Sequence, residues 1–323
     1  MPVLSYKDQS FSIETNETVL DCLLREGQPV SYSCRTGVCQ SCVMKAAQGT
    51  PSPEAQAGLR DTLQRQGYFM ACKWKPVEDV AVCGAEDLTF QATIVEKEML
   101  SETVLKVLLH SSSPFSYQSG QYLTLLRPDG LARSYSIASL PGESLIELHI
   151  RLIPNGKMSS WLFNDARPGT ALAFRGPFGT CFYLPDRPEQ PLLLVGTGTG
   201  LAPLYGIARD ALTQNHQGPI WLFHGALTTS GLYLVNQLRE LAAQFPQFQY
   251  LPTVLNGDSQ DDQPVLTGSL DTVVVSRVPQ LKAMRAFLCG DPDIVNRLRK
   301  KFFLAGLSLR DIYADAFVPS SPS

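Results

Sequence analysis

Four cysteines pose the first chemical question. Cys34, Cys39 and Cys42 have four and two residues between them, and Cys72 follows after twenty-nine more. Four thiolates at that spacing match the plant-type pattern for ligating a 2Fe-2S cluster. Gly37, between the first two, lets backbone amides turn towards the sulfurs, where they help set a cluster's potential. A structural zinc site is the competing reading, but zinc usually wants paired C-x-x-C units and only Cys39 to Cys42 forms one. Of the other four cysteines, Cys22, Cys83 and Cys181 read as small buried hydrophobes.

A second group could hold phosphates and a flat ring. Arg133-Ser134-Tyr135-Ser136 offers a guanidinium for a pyrophosphate, an aromatic face for stacking and a hydroxyl for a ring nitrogen. Gly156-Lys157-Met158-Ser159 opens a short helix, whose free amides and Ser159 hydroxyl suit phosphate oxygens. Gly196-Thr197-Gly198-Thr199-Gly200 follows an apolar strand and enters a helix, where backbone amides can approach a second pyrophosphate. Its third glycine comes one residue too early for the G-x-G-x-x-G dinucleotide fingerprint. His149 and Arg151 lie on the more polar face of an alternating strand, as cofactor contacts or as a solvated face.

In this order the motifs resemble the ferredoxin-NADP reductase superfamily, and with the cysteine loop the resemblance covers nearly the whole chain. It implies FAD on Arg133 to Ser136 and on Gly156 to Ser159, with Ser136 at the reactive flavin nitrogen. The early third glycine fits that superfamily's own G-x-G-x-G-x-A-P-like loop. Cys289-Gly290-Asp291-Pro292 resembles its C-G-x-P segment beside the reactive nicotinamide carbon, although a cysteine buried at a strand end would look the same. Tyr313-Ala-Asp-Ala-Phe317 is similar to the Y-x-x-x-F ending of reductases of bacterial ring-hydroxylating dioxygenases and multicomponent monooxygenases, in which an aromatic lies near the flavin. The resemblance thus gives Ser136, Cys289 and Phe317 catalytic roles, with core packing the alternative for Phe317.

These side chains need three scaffolds. Strands at Val3 to Tyr6 and Phe11 to Glu14, a helix from Thr18 to Glu26 and a second from the proline pair Pro51 and Pro53 to Gly67 predict a β-grasp ferredoxin domain, residues 1–85. Period-two alternation from Phe90, clearest over Leu145 to Leu152, predicts an antiparallel β-barrel FAD domain, residues 88–186. Three prolines within Leu184 to Pro191 mark a connector. Alternating apolar strands and helix-like stretches then predict a doubly wound parallel-sheet nicotinamide domain, residues 190–318, before a tail at 319–323. The fold class is therefore multidomain, with α+β, β and α/β parts.

Composition narrows the partners. A formal charge of -3, with Lys and Arg evenly scattered, offers no basic stripe for nucleic acid or anionic lipid. Pro191 to Ala208 is uncharged and as long as a membrane span, but four glycines, two prolines and two threonines make it a strand, loop and helix start. The first nine residues carry no signal-like apolar segment, and a cytoplasmic protein is expected. Cysteines in a reducing compartment favour ligation over disulfides.

The domain order is similar to benzoate dioxygenase and methane monooxygenase reductases, which implies hydride transfer from NADH to FAD. Single electrons then leave through the 2Fe-2S cluster to an acceptor protein, an oxygenase component or a ferredoxin. A reductase serving a deoxysugar-type enzyme, and a redox-sensing interaction protein, are the alternatives. The sodium-pumping quinone reductase subunit shares the modules but also has an N-terminal membrane helix that this chain lacks. NADH is expected over NADPH, because no Lys or Arg lies between Ala211 and Leu238 to meet a 2'-phosphate. No Asp or Glu lies there for a ribose hydroxyl either; Thr228, Thr229 and Ser230 could bond to either group, and Lys282 or Arg285 are the basic residues that could reach in from elsewhere.

Overall fold

The computed structural model describes residues 1–256 and 265–318, so the expected tail at 319–323 lies outside the described residues. Three sheets follow one another along the chain, each around its own core.

The first sheet contains β1 (Val3–Tyr6), β2 (Gln9–Ser12), β3 (Val43–Gln48), β4 (Tyr68–Met70) and β5 (Val80–Cys83), in the order β2-β1-β5-β3-β4. β1 runs parallel to β5 and the other pairs are antiparallel, a β-grasp arrangement. Helix α1 (Val19–Arg25) starts at Thr18, whose hydroxyl accepts from the Asp21 amide. It buries Val19, Leu20, Cys22 and Leu23. The Leu20 amide bonds to the Ala71 carbonyl, so the helix start is fixed beside Cys72. The single helix expected between Pro53 and Gly67 is instead two, α2 (Pro53–Gln56) and α3 (Asp61–Arg65). Gly58 between them has φ +82, which a helix cannot contain. Cys83 is exposed rather than buried, because it ends β5 facing outwards.

The second sheet is wholly antiparallel. Its strands are β6 (Thr89–Ser101), β7 (Val104–Ser111), β8 (Tyr122–Leu126), β9 (Ala132–Ser136), β10 (Ile146–Arg151) and β11 (Ala171–Phe178), in the order β10-β7-β6-β11-β8-β9. A bridge between Ile137 and Leu148, with the Ala138 amide on the Glu147 carbonyl, joins the two ends and closes the barrel. Ile146, Leu148 and Ile150 fill the interior. Helix α4 (Lys157–Asn164) caps one end, burying Met158 and Leu162.

The third sheet is parallel throughout: β12 (Leu192–Thr197), β13 (Ile220–Ala226), β14 (Phe248–Val254), β15 (Leu266–Thr267), β16 (Arg285–Gly290) and β17 (Ile312–Ala316). The order β15-β14-β13-β12-β16-β17 reverses direction between β12 and β16. Helices α5 (Leu201–Thr213), α6 (Val235–Gln244), α7 (Leu270–Arg277) and α8 (Pro292–Leu304) cover its faces. In such a sheet, ligands bind at the carboxyl ends of the strands flanking the reversal, here after Thr197 and Gly290.

Candidate functional site: a cleft walled by three domains

The cysteine loop is held in an unusual backbone path. Arg35, Gly37 and Gln40 all have positive φ, so successive amides turn inwards. The amides of Thr36 and Cys39 each lie 3.4 Å from the Cys34 sulfur, and the Cys34 amide lies 3.4 Å from the Cys39 sulfur. The four thiols fall into two interacting pairs, Cys34 with Cys39 and Cys42 with Cys72. Among the described residues no three Cys, His, Asp or Glu side chains close around one ion. Two pairs are the arrangement that two irons, each taking two protein sulfurs, would use.

Beside this loop lies a cleft of about 560 Å³, and the cluster loop itself forms one wall through Ser33, Val38 and Cys39. The opposite walls carry Arg133, Ser134, Tyr135 and Ser136 from β9, His149 and Arg151 from β10, and Gly156, Lys157, Met158 and Ser159 at the start of α4. Thr199 and Phe317 come from the third domain. Arg133 reaches only the Ala132 carbonyl, at 2.7 Å, and neither it nor Arg151 meets a carboxylate among the described residues. Two guanidiniums without acidic partners beside a helix N-terminus fit the diphosphate of a flavin dinucleotide. The Ser159 hydroxyl is otherwise engaged, accepting from the Ile153 amide and donating to the Gly156 carbonyl.

His149 is not on a solvated face. It is 3 % exposed, wedged between domains, with Nε2 2.7 Å from Glu147 and Nδ1 3.2 Å from the Tyr233 hydroxyl. The alternation placed it on the outer face of the barrel, and the third domain covers that face.

Ser136 meets a residue the sequence reading did not single out. Its Oγ lies 3.4 Å from Oδ2 of Asp315 on β17. Loss of water on every side but the cleft pushes the Asp315 carboxyl up to about 6. Asp315 pairs in register with Cys289 on β16, so Ser136, Asp315 and Cys289 come together. A signal was present, since period-two alternation sets Tyr313, Asp315 and Phe317 on one face of a short strand. Cys289 is buried, which raises its thiol, and its sulfur lies 3.6 Å from that of Cys181 in the barrel domain.

Close packing explains most of the glycines in the dinucleotide loop. A Cβ on Gly200 would stand 2.3 Å from the Cys289 carbonyl oxygen, one on Gly290 would meet Thr197, and one on Gly196 would meet Leu204 and Gly200. Only at Gly198 is there room, facing Arg151 across the cleft. Thr197 Oγ1 accepts from the Asp291 amide, Asp291 caps α8, and Pro292 is that helix's first residue. These residues shape the loop that brings Thr199 to the cleft. Arg285 is buried at the opposite end of its strand, committed to Asp186 and the Leu184 carbonyl, so it cannot reach a ribose.

A cluster loop, a barrel whose cleft carries Arg133, Arg151 and a helix N-terminus, and a parallel sheet with its reversal at that cleft define an iron-sulfur flavoprotein oxidoreductase. Known domain families match the same three parts: a 2Fe-2S iron-sulfur cluster binding domain at 4–77, an oxidoreductase FAD-binding domain at 91–183 and an oxidoreductase NAD-binding domain at 194–300. The chain is 32% identical over 309 residues, 93% of each chain, to the ferredoxin–NAD(P)(+) reductase component of the naphthalene 1,2-dioxygenase system of Pseudomonas putida. It is 28% identical, over 96% of each chain, to a CDP-6-deoxy-L-threo-D-glycero-4-hexulose-3-dehydrase reductase of Yersinia pestis. The crystal structure of an Amycolatopsis cytochrome P450 reductase superposes with a TM-score of 0.72 at 29% identity, covering 99% of this chain and 100% of that one. This protein belongs to the family of ferredoxin–NAD(P)+ reductase components with an N-terminal 2Fe-2S domain. It is an NAD(P)H-dependent oxidoreductase using FAD and a 2Fe-2S cluster, and a partner protein takes its electrons. Among the described residues no helix is long and apolar enough to cross a membrane.

Proposed function

We propose that this reductase oxidises NADH in preference to NADPH and delivers single electrons to an oxygenase component or a ferredoxin, in the cytoplasm. The observation that carries the reading is the shared cleft: cluster loop, flavin strand and nicotinamide loop line one cavity. When bound, the flavin accepts a two-electron hydride and the cluster passes electrons one at a time. The chain's own residues prepare that exchange. Arg133, Arg151 and the α4 amides hold phosphate charge, Tyr135 offers its ring, and Ser136 and Asp315 present polar atoms where hydride arrives. Phe317, anchored by its amide to the Gly290 carbonyl at 2.8 Å, shields the same spot from water. Cys34, Cys39, Cys42 and Cys72 hold the cluster.

NADH is favoured because the loop after β13 presents Thr228, Thr229 and Ser230 and no cation, while Arg285 is locked elsewhere. A 2'-phosphate there lacks a charged partner. The relative that reduces a hexulose dehydrase supports a non-oxygenase acceptor as the second reading. The eight cysteines, all free thiols, suit a reducing compartment. Steady-state kcat/KM for both nicotinamides at fixed ionic strength tests the preference, with at least a tenfold advantage expected for NADH, the usual size of a charge-assisted contact of about 1.5 kcal/mol. Equal values would overturn it. Reconstitution with oxygenase, ferredoxin and dehydrase acceptors separates the two partner readings.

A further inference from the structure

Two hydroxyls of the barrel reach across to the backbone of the cluster loop. The Tyr122 hydroxyl donates to the Val38 carbonyl at 3.0 Å, and Ser134 Oγ donates to the carbonyl of the ligand Cys39 at 3.0 Å. Ser134 also lies 3.0 Å from Thr124 Oγ1 and 3.4 Å from Ser41 Oγ, and both of those residues are fully buried. Tyr122 pairs with Ser136, and Thr124 with Ser134, across β8 and β9. The clamp and the proposed flavin contacts are therefore parts of one strand pair. Tyr122 is itself buried, and it packs with Phe178 into the core of the first domain rather than that of its own barrel. Its ring is set by Gly179, where a Cβ would stand 3.0 Å from the ring carbons.

We propose that Tyr122 and Ser134 are positioning residues that hold the cluster loop in register against the flavin strand, with the Ser134–Cys39 hydrogen bond as the bridge for electron transfer. This rests on the reading that both groups are bound and that electrons pass from flavin to cluster. The link is short: from Tyr135 through the Ser134 backbone and hydroxyl to the Cys39 carbonyl, then through Cys39 to the iron on its sulfur. The step moves one electron and no atoms; the reduced flavin loses it and one ferric iron becomes ferrous. A tyrosine fits the task because its ring packs in the first domain's core while its hydroxyl reaches the loop carbonyl.

The test uses the holoprotein with Tyr122→Phe, Ser134→Ala, the double variant and Ser134→Thr. Tyr122→Phe removes one oxygen from an intact core. Under anaerobic stopped flow with NADH it should leave flavin bleaching at the wild-type rate while cluster reduction slows roughly tenfold, the size of effect expected when a docking equilibrium loses one buried hydrogen bond. The double variant should slow it further, and Ser134→Thr should restore it relative to Ser134→Ala. Two readouts do not depend on turnover: amide hydrogen exchange across residues 33–42 should quicken, and the electron paramagnetic resonance signal of the dithionite-reduced cluster should shift in Ser134→Ala. Wild-type cluster reduction and exchange in Tyr122→Phe and in Ser134→Ala would overturn the clamp. A wild-type protein whose flavin bleaches with NADH while its cluster never reduces would instead overturn the functional reading beneath it.

Discussion

The barrel meets its two neighbours by different chemistry. Against the cluster domain it uses neutral hydroxyls on backbone carbonyls, Tyr122 to Val38 and Ser134 to Cys39, together with a shared apolar core. Against the nicotinamide domain it also shares an apolar core, through Val104, Cys181 and Tyr183, but there it adds pairs that each contain an ionisable side chain: His149 with Tyr233, Ser136 with Asp315, Glu143 with Arg209. Neutral bonds to backbone are insensitive to pH and salt, as a fixed electron-transfer distance requires. Pairs with an ionisable member respond to pH, and the Glu143–Arg209 ion pair to salt as well; they line the seam where a dinucleotide must enter and leave. One seam is built to stay and the other to respond.

The largest expected effect breaks the cluster side alone. Cys39→Ser should empty the cluster site and leave the flavin, because the ligands sit on a separate sheet whose core is built almost wholly from its own residues, with only Tyr122 and Phe178 added from the barrel. NADH-dependent ferricyanide reduction should survive while cytochrome c reduction collapses by more than about a hundredfold, equivalent to roughly 2.7 kcal/mol of barrier. Equal loss of both activities would mean that the two domains do not act separately.

The next test sharpens the responsive seam. The Asp315 carboxyl is raised from 3.8 to about 6. Below the lower value the folded and unfolded chains are both protonated there, and the carboxyl's stabilisation is fully present. It is lost as pH rises through about 6, because the fold must then bury a charge. The apo-protein should therefore lose thermal stability over that window, and Asp315→Asn should not. The rate should move the other way. A carboxylate beside a ring that becomes cationic on giving up hydride favours transfer, so flavin bleaching should accelerate through about pH 6. In Asp315→Asn the profile should be flat and roughly tenfold lower above that pH, for a lost electrostatic contribution of about 1.4 kcal/mol. An unchanged inflection would remove Asp315 from the chemistry.

The sequence was legible where function depends on local spacing. Cys34 to Cys42, Arg133 to Ser136 and the α4 start are each short runs of sequence, and the structure brings Cys39, Arg133 to Ser136 and Gly156 to Ser159 to one cleft. What escaped was set by distant partners. Tyr122 matters because β8 ends at the cleft beside the cluster loop, and nothing within five residues of it says so; Asp315 lies inside the Tyr313 to Phe317 ending, but its partner Ser136 is 179 residues away. For His149, alternation left a cofactor contact and a solvated face both open, because it reports two faces and not what covers the outer one. The split between α2 and α3 turned on Gly58, which is a weak breaker until its φ is known. β15 and α7 follow directly on one another near the sheet edge, and the short strand has only two residues to announce it.

The smallest effect tests whether the charged seam is tuned or merely tolerated. Arg209 on α5 reaches Glu143 in the barrel domain, and its guanidinium lies 5.0 Å over the Tyr205 ring. The Glu143 side chain is 37% exposed, so water and salt screen the pair and its contribution to stability should be under about 1 kcal/mol. Glu143 also accepts from the Leu140 amide at 3.0 Å, a turn contact that glutamine can keep through its own carbonyl oxygen. Glu143→Gln therefore removes charge and little else. Its urea midpoint should fall slightly at low ionic strength and match the wild type near 1 M salt, where the screening length is about 3 Å. If the pair also biases closure over the dinucleotide, KM for NADH should rise about twofold at low salt while kcat stays fixed, since under 1 kcal/mol of seam energy allows little more. A change in kcat instead would mean that this outer contact reaches the hydride-transfer geometry, and that the responsive seam moves as one unit from its rim to Asp315.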